Sequence, residues 1–191
     1  LLSFVAVQGH LVNRDGIHYL ETARAFLEGG LSGEVNVGEL AFLAFLPTLI
    51  AALAFVTRVS LENTALILHA LFMAGTCALL VGITRRRLPE AAWLACLVVL
   101  AMPAYNQYRN EILREYGFWF FSLLAFILAM RWNDTQRWRE AVFCQGALAV
   151  ATLFRQEAIA FYPALMLWQA FGAPAGQRRR RGIEIGFLLL A

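Results

Sequence analysis

The chain contains no lysine; all sixteen of its basic residues are arginine. Charge of either sign is scarce, at 15% of residues against about 25% in an average soluble domain. Cysteine is nearly absent as well. Cys77, Cys96 and Cys144 each lie in an apolar stretch, form no CxxC or Cys/His metal spacing, and read as small buried hydrophobes. No internal repeat is visible. These absences exclude a soluble globular enzyme, a disordered chain and a secreted disulfide scaffold.

What fills the space is apolar. The 191 residues are 60% hydrophobic with a mean hydropathy of +0.62, and the excess sits in runs separated by short arginine-bearing gaps. That pattern predicts an all-α membrane protein, a polytopic helical bundle. The apolar runs are Leu1–Val12, Ala41–Val56, Asn63–Thr84, Ala91–Pro103, Tyr116–Met130, Ala141–Phe154, Ala158–Phe171 and Ile183–Ala191. Several fall short of the roughly 20 residues that cross a bilayer core, which implies tilting, local thinning or burial beside a polar cavity. Leu1–Val7 has neither a basic leader nor a small-residue cleavage site, and Phe187–Ala191 stops inside a rising apolar run. The sequence therefore reads as a fragment truncated at both ends. Residues 1–191 are expected to form a single transmembrane domain, with an outer loop of juxtamembrane helices over 13–62 and helical spans over 63–191.

Arginine clusters orient the spans. Arg85–Arg87, then Arg131, Arg137 and Arg139, then Arg178–Arg181 are each separated from the next by two apolar runs, and the positive-inside rule puts all three in the cytoplasm. If Ala41–Val56 crosses, Gly30–Leu40 is cytoplasmic, and charge alone does not decide this; if it dips into the outer leaflet without crossing, the cytoplasmic gaps hold ten Arg and four acids, the outer gaps six Arg and nine acids.

Three polar constellations face outward on that topology. The first opens an amphipathic stretch at Asp15. Ile17, Leu20, Ala23 and Leu27 recur at helical spacing and Gly29-Gly30 closes it, as in a helix lying on a membrane surface. The plainer reading of Asp15 is a helix cap accepting from the amides of Ile17 or His18. The second runs from Pro103 to Glu115. Glu111 and Glu115 would share one face of a helix, with Arg109 and Arg114 nearby; the alternative is a solvated loop with surface ion pairs. The third is Arg155-Gln156-Glu157, which interrupts an apolar tract. Arg155 either pairs with Glu157 alone or offers a planar donor set to a phosphate.

In this order the three features resemble one family. The pattern D-[EG]-x-x-Y-x-x-x-A-x-x-x-x-x-G is matched by Asp15-Gly16-Ile17-His18-Tyr19, Ala23 and Gly29. A span ending in Pro, with an acid about a dozen residues on, is matched by Pro103 and Glu115. A Leu-Thr-Arg-x-Glu break before a Leu/Pro-rich span is matched by Leu153-Phe154-Arg155-Gln156-Glu157 and Tyr162-Pro163-Ala164-Leu165. Together they resemble the N-terminal module of the C-type multi-span glycosyltransferases, relatives of dolichyl-phosphate-mannose protein mannosyltransferase and of bacterial lipid A aminoarabinose transferase. The chain departs from that family at Asp15-Gly16, where many members have Asp-Glu, and at Asn36-Val37-Gly38-Glu39-Leu40, which lacks their Lys/Pro-Pro element.

The resemblance implies transfer of a sugar from a polyprenyl-phosphate donor to a periplasmic or lipid-linked acceptor, in a bacterial inner membrane with the site facing the periplasm. Asp15 would be the general base and Glu115 would position the acceptor or stabilise charge at the sugar. Arg155 with Glu157, Arg109, Arg114 and Tyr19 would bind substrate. A divalent metal is compatible with two acids, but no ligand spacing demands one. The implied partners are the lipid-linked donor, membrane lipids and a sugar, lipid or protein acceptor, not nucleic acid. The competing expectation is a transporter or flippase-like protein whose intramembrane charges line a pathway.

Overall fold

A computed structural model describes residues 5–7, 10–12, 14–29, 45–102 and 111–172. Among these the fold is helical, apart from one short hairpin. Its helices are α1 (Arg14–Gly29), α2 (Phe45–Thr57), α3 (Leu61–Arg87), α4 (Ala92–Ala101), α5 (Glu115–Thr135), α6 (Trp138–Phe154) and α7 (Phe161–Gly172), with 3-10 turns at Pro89–Ala91 and Gln156–Ala160. The hairpin is an antiparallel pair, β1 (Val5–Val7) and β2 (His10–Val12), with Val5 opposite Val12 and Val7 opposite His10. It corrects the expectation that Leu1–Val12 belongs to a span: the β-branched Val5, Val7 and Val12 favour the extended backbone they adopt here.

Two compact units divide the chain, Leu1–Gly117 and Phe118–Ala191. In the first, α1 packs along α2 and touches α3, and α3 packs on α2 and α4. The buried face of α1 is Gly16, Tyr19, Leu20 and Ala23. The predicted stripe is thus rotated by about one residue: Leu20 and Ala23 are buried, but Tyr19 replaces Ile17 and Leu27 stays 42% exposed. α2 and α3 are joined across Arg58–Ser60. Arg58 takes the left-handed conformation (φ 58°) and donates its N–H back to Ala54 O at 2.8 Å. Ser60 then caps α3, its hydroxyl accepting from Asn63 N.

At 27 residues and 1.5 Å per residue, α3 is about 40 Å long. Among the described residues it is the one helix both long and apolar enough to cross a membrane. Only 17% of its most apolar window is buried within the protein, unlike the core helix of a soluble domain. Its packed residues lie between Leu61 and Thr76, and it ends in Arg85-Arg86-Arg87, cations placed where the helix dipole favours them. Thr76 and Thr84 donate their hydroxyls to the carbonyls of Phe72 and Leu80, so neither is left unsatisfied in apolar surroundings.

In the second unit α5 and α6 pack through Ala125, Leu128 and Ala129 against Cys144, Ala147 and Leu148, with Tyr162 and Leu165 of α7 alongside. Small residues four apart let helix backbones approach closely. The predicted break after Phe154 is present. Arg155 is extended, the 3-10 turn follows, and Pro163 falls in the first turn of α7, where its missing N–H has no helical partner to lose. Large apolar side chains remain exposed on several helices, among them Phe55, Ile67, Leu71, Trp93, Leu97, Phe143 and Phe171.

Candidate functional site

A pocket of about 300 Å³ opens in the first unit, lined by Asp15, His18, Tyr19, Thr22, Pro47, Arg114 and Glu115. Four of these come from α1 at positions i, i+3, i+4 and i+7, one continuous helical face. Asp15 lies within the first turn of α1, where a carboxylate is favoured by the N-terminal partial charge. That position differs from the capping role allowed for it, because the helix already begins at Arg14. Tyr19 is buried and holds α1 down, while Thr22 donates its hydroxyl to His18 O at 2.7 Å. Pro47 of α2 supplies an apolar wall.

The opposite side of the pocket comes from about a hundred residues later in the sequence. Glu115 is the first residue of α5 and Arg114 immediately precedes it. Glu111 is not helical, so the expected shared helix face of Glu111 and Glu115 is absent: the helix starts at the second acid, not the first. Two acidic residues and one arginine therefore line one small cavity. Among the described residues, no group of three or more His, Cys, Asp or Glu side chains is arranged to hold a metal ion.

An ion pair fixes α1 from behind. Arg24 NH2 lies 3.5 Å from Glu62 Oε1 in the first turn of α3, and the Glu62 side chain is only 4% exposed. Leaving such a carboxylate without a partner would be costly, so the pair ties the two helices together.

Arg155 and Glu157 belong to the second unit and bind each other. Arg155 NH2 donates to Glu157 Oε1 at 2.7 Å and Nε to Oε2 at 3.2 Å, and the guanidinium carbon sits 5.9 Å from the centre of the Phe118 ring. The bidentate geometry satisfies both ions locally. Arg109 lies outside the described residues, as do Pro103, Arg178–Arg181 and the stretch Asn36–Leu40.

Sequence reasoning thus named Asp15, Tyr19, Arg114 and Glu115, which line the same pocket, and missed His18, Thr22 and Pro47. The first two were legible in principle, since they follow Asp15 at helical spacing. Pro47 was not, because the packing of α2 on α1 is a tertiary fact. No protein family, curated protein or solved structure matches the chain.

Proposed function

We propose that the chain is a polytopic membrane glycosyltransferase that moves a sugar from a polyprenyl-phosphate donor to an acceptor hydroxyl or amine at the outer face of the membrane. The observation that carries this reading is the convergence of Asp15 and Tyr19 with Arg114 and Glu115 on one pocket. Its volume is near the lower end of the roughly 300–1,000 Å³ typical of ligand pockets. It suits a compact polar head group better than a lipid tail. The exposed apolar side chains and the length of α3 support a lipid surround.

In this chemistry the acceptor O–H or N–H is held against the Asp15 carboxylate, which takes the proton as the acceptor attacks the anomeric carbon. The bond from that carbon to the phosphate oxygen breaks, and the polyprenyl phosphate departs with the electron pair. Glu115 faces the positive character that develops on the sugar ring. Arg114 is the pocket's own cation for the departing phosphate, a charge that strengthens in the transition state. Arg155 and Arg109 are left as outlying phosphate contacts, and a divalent cation, if used, would take its oxygens from Asp15 and Glu115.

The test is transfer by the intact purified protein from labelled polyprenyl-phosphate sugars to acceptor-containing membrane extract. Release of polyprenyl phosphate with label in the acceptor supports the reading. Label carried across a proteoliposome membrane without bond cleavage would instead establish the transporter alternative.

A further inference from the structure

α3 carries one histidine inside its apolar run, and the pocket does not use it. His69 is 1% exposed. Its Nδ1 is 2.7 Å from the carbonyl oxygen of Ala65, one turn back on the same helix. Its Nε2 accepts the backbone N–H of Leu113 at 2.7 Å, and the carbonyl oxygen of the same residue is 2.6 Å away. With its proton on Nδ1 the ring donates to Ala65 O and accepts from Leu113 N–H; a proton on Nε2 would go to Leu113 O, so in each form the ring is tied to the Leu113 peptide.

Leu113 lies in the non-helical tract 111–114 that leads into α5. The part-buried Leu113 peptide group there has no helical partner, and the imidazole takes that place. The neighbouring residues are fixed as well. Ile112 is almost fully buried, and Tyr116 meets the imidazole edge-to-face, centroids 5.3 Å apart at 89°. Arg114 and Glu115, the two pocket residues on this side, fall between those fixed points. His69 itself does not line the pocket.

We infer that His69 is the positioning residue of the pocket: by holding the Leu113 peptide to α3 it sets where Arg114 and Glu115 stand. A structural histidine in a bundle needs only satisfied ring nitrogens. This one is tied across 44 positions of sequence to the residue immediately before the pocket's cation. An ionisable side chain in an apolar helix is costly and usually functional, and here its function is exerted through the backbone.

The test reads position directly and needs no transfer activity. A nitroxide is attached at Arg114→Cys in the intact protein, in a background lacking Cys77, Cys96 and Cys144, with Thr22→Cys as the control on α1. His69→Ala should lower the population of the immobile state at 114 by about ten-fold or more, the scale of a lost buried hydrogen bond, and leave the label at 22 unchanged. His69→Gln, which keeps a donor and an acceptor at similar reach, should restore most of the immobile signal. If His69→Ala does not fold, His69→Asn, whose shorter amide stops before Leu113, carries the same measurement with the same expected loss. An immobile label at 114 in folded His69→Ala or His69→Asn protein overturns the inference, as does equal loosening at 22. Absence of sugar transfer would overturn the proposed function alone and leave this result standing.

Discussion

Among the described residues, the two units differ in how far their polar contacts reach. In Leu1–Gly117, beside many local bonds such as Thr22 to His18 O and Thr76 to Phe72 O, two polar ties reach far along the chain: Arg24 to Glu62, and His69 to Leu113. Among the described residues of Phe118–Ala191, the contacts seen are local: Arg155 with Glu157, Thr152 with Leu148 O, Gln136 with the carbonyls of Trp132 and Asn133. Long-range polar ties cost ordering entropy and are retained where a geometry must be held, whereas local ones merely satisfy a group. In the first unit those ties border a cavity, and the described part of the second packs small and aromatic side chains together. An arginine that looks catalytic in sequence can belong to either kind, and its partner decides which.

The largest test of that contrast is Asp15→Asn. Loss of a general base should lower transfer by about 10²–10⁴-fold. The accompanying loss of a first-turn carboxylate should cost α1 only about 0.3–1 kcal/mol, so the protein stays folded by circular dichroism and gel filtration. Near-normal turnover by folded Asp15→Asn protein would remove Asp15 from the mechanism.

Next comes a matched pair of arginines. Arg114→Gln should reduce transfer by about 10²-fold, the loss typical of one donor to transition-state charge. Arg155→Gln should reduce it far less and cost under about 1 kcal/mol of stability, since its partner Glu157 is 55% exposed. Equal losses of turnover in steady-state assays would break the distinction between the units.

Packing should show the reverse order. Ala147→Leu adds volume to the α5–α6 contact, where Ala147 is buried with Ala125 and Ala129. It should destabilise by about 1–3 kcal/mol in a thermal melt.

Sequence alone made much of this legible, and the failures have physical causes. Helical spacing located α1 to within two residues of its ends, because its N-terminal acid and its Gly29 stop are local signals. Of the apolar stripe, the protein itself covers Leu20 and Ala23. Leu27 is exposed and Tyr19 is not, because periodicity defines a stripe while the neighbouring helix decides which part of it is covered. Asp15 and Glu115 stand out as acids at apolar boundaries. His69 does not, since nothing in its immediate sequence announces a partner beyond the next helix. The hairpin at Val5–Val12 was hidden for a related reason: a short apolar run suits a strand as well as a piece of span.

The smallest expected effect tests what the units share. Arg58 and Gln136 each close a helix in the left-handed conformation, with φ of 58° and 55°. Arg58→Gly and Gln136→Gly should each be stabilising or neutral, within about 1 kcal/mol, as glycine removes the Cβ clash but adds unfolded-state entropy. A loss above that, measured by chemical denaturation, would mean at position 58 that the Arg58 side chain makes contacts of its own, and at position 136 that the Gln136 bonds to Trp132 O and Asn133 O outweigh the strain relieved.

The uneven burial of α3 has a consequence for variation. Its first half meets neighbours at nearly every turn, and the His69 side chain makes hydrogen bonds both to its own helix and to Leu113. Its second half is read by its surroundings chiefly for being apolar. A Cβ added at Gly82 would meet nothing within 4 Å. One helix thus carries two kinds of text: a word spelled letter by letter, followed by filler that any hydrophobic alphabet can supply. Homologues, chimaeras and engineered variants should diverge freely from about residue 78 to the arginines and hardly at all around His69. A linker or reporter added near Arg87 should leave the pocket, carried at the other end of the same rod, undisturbed.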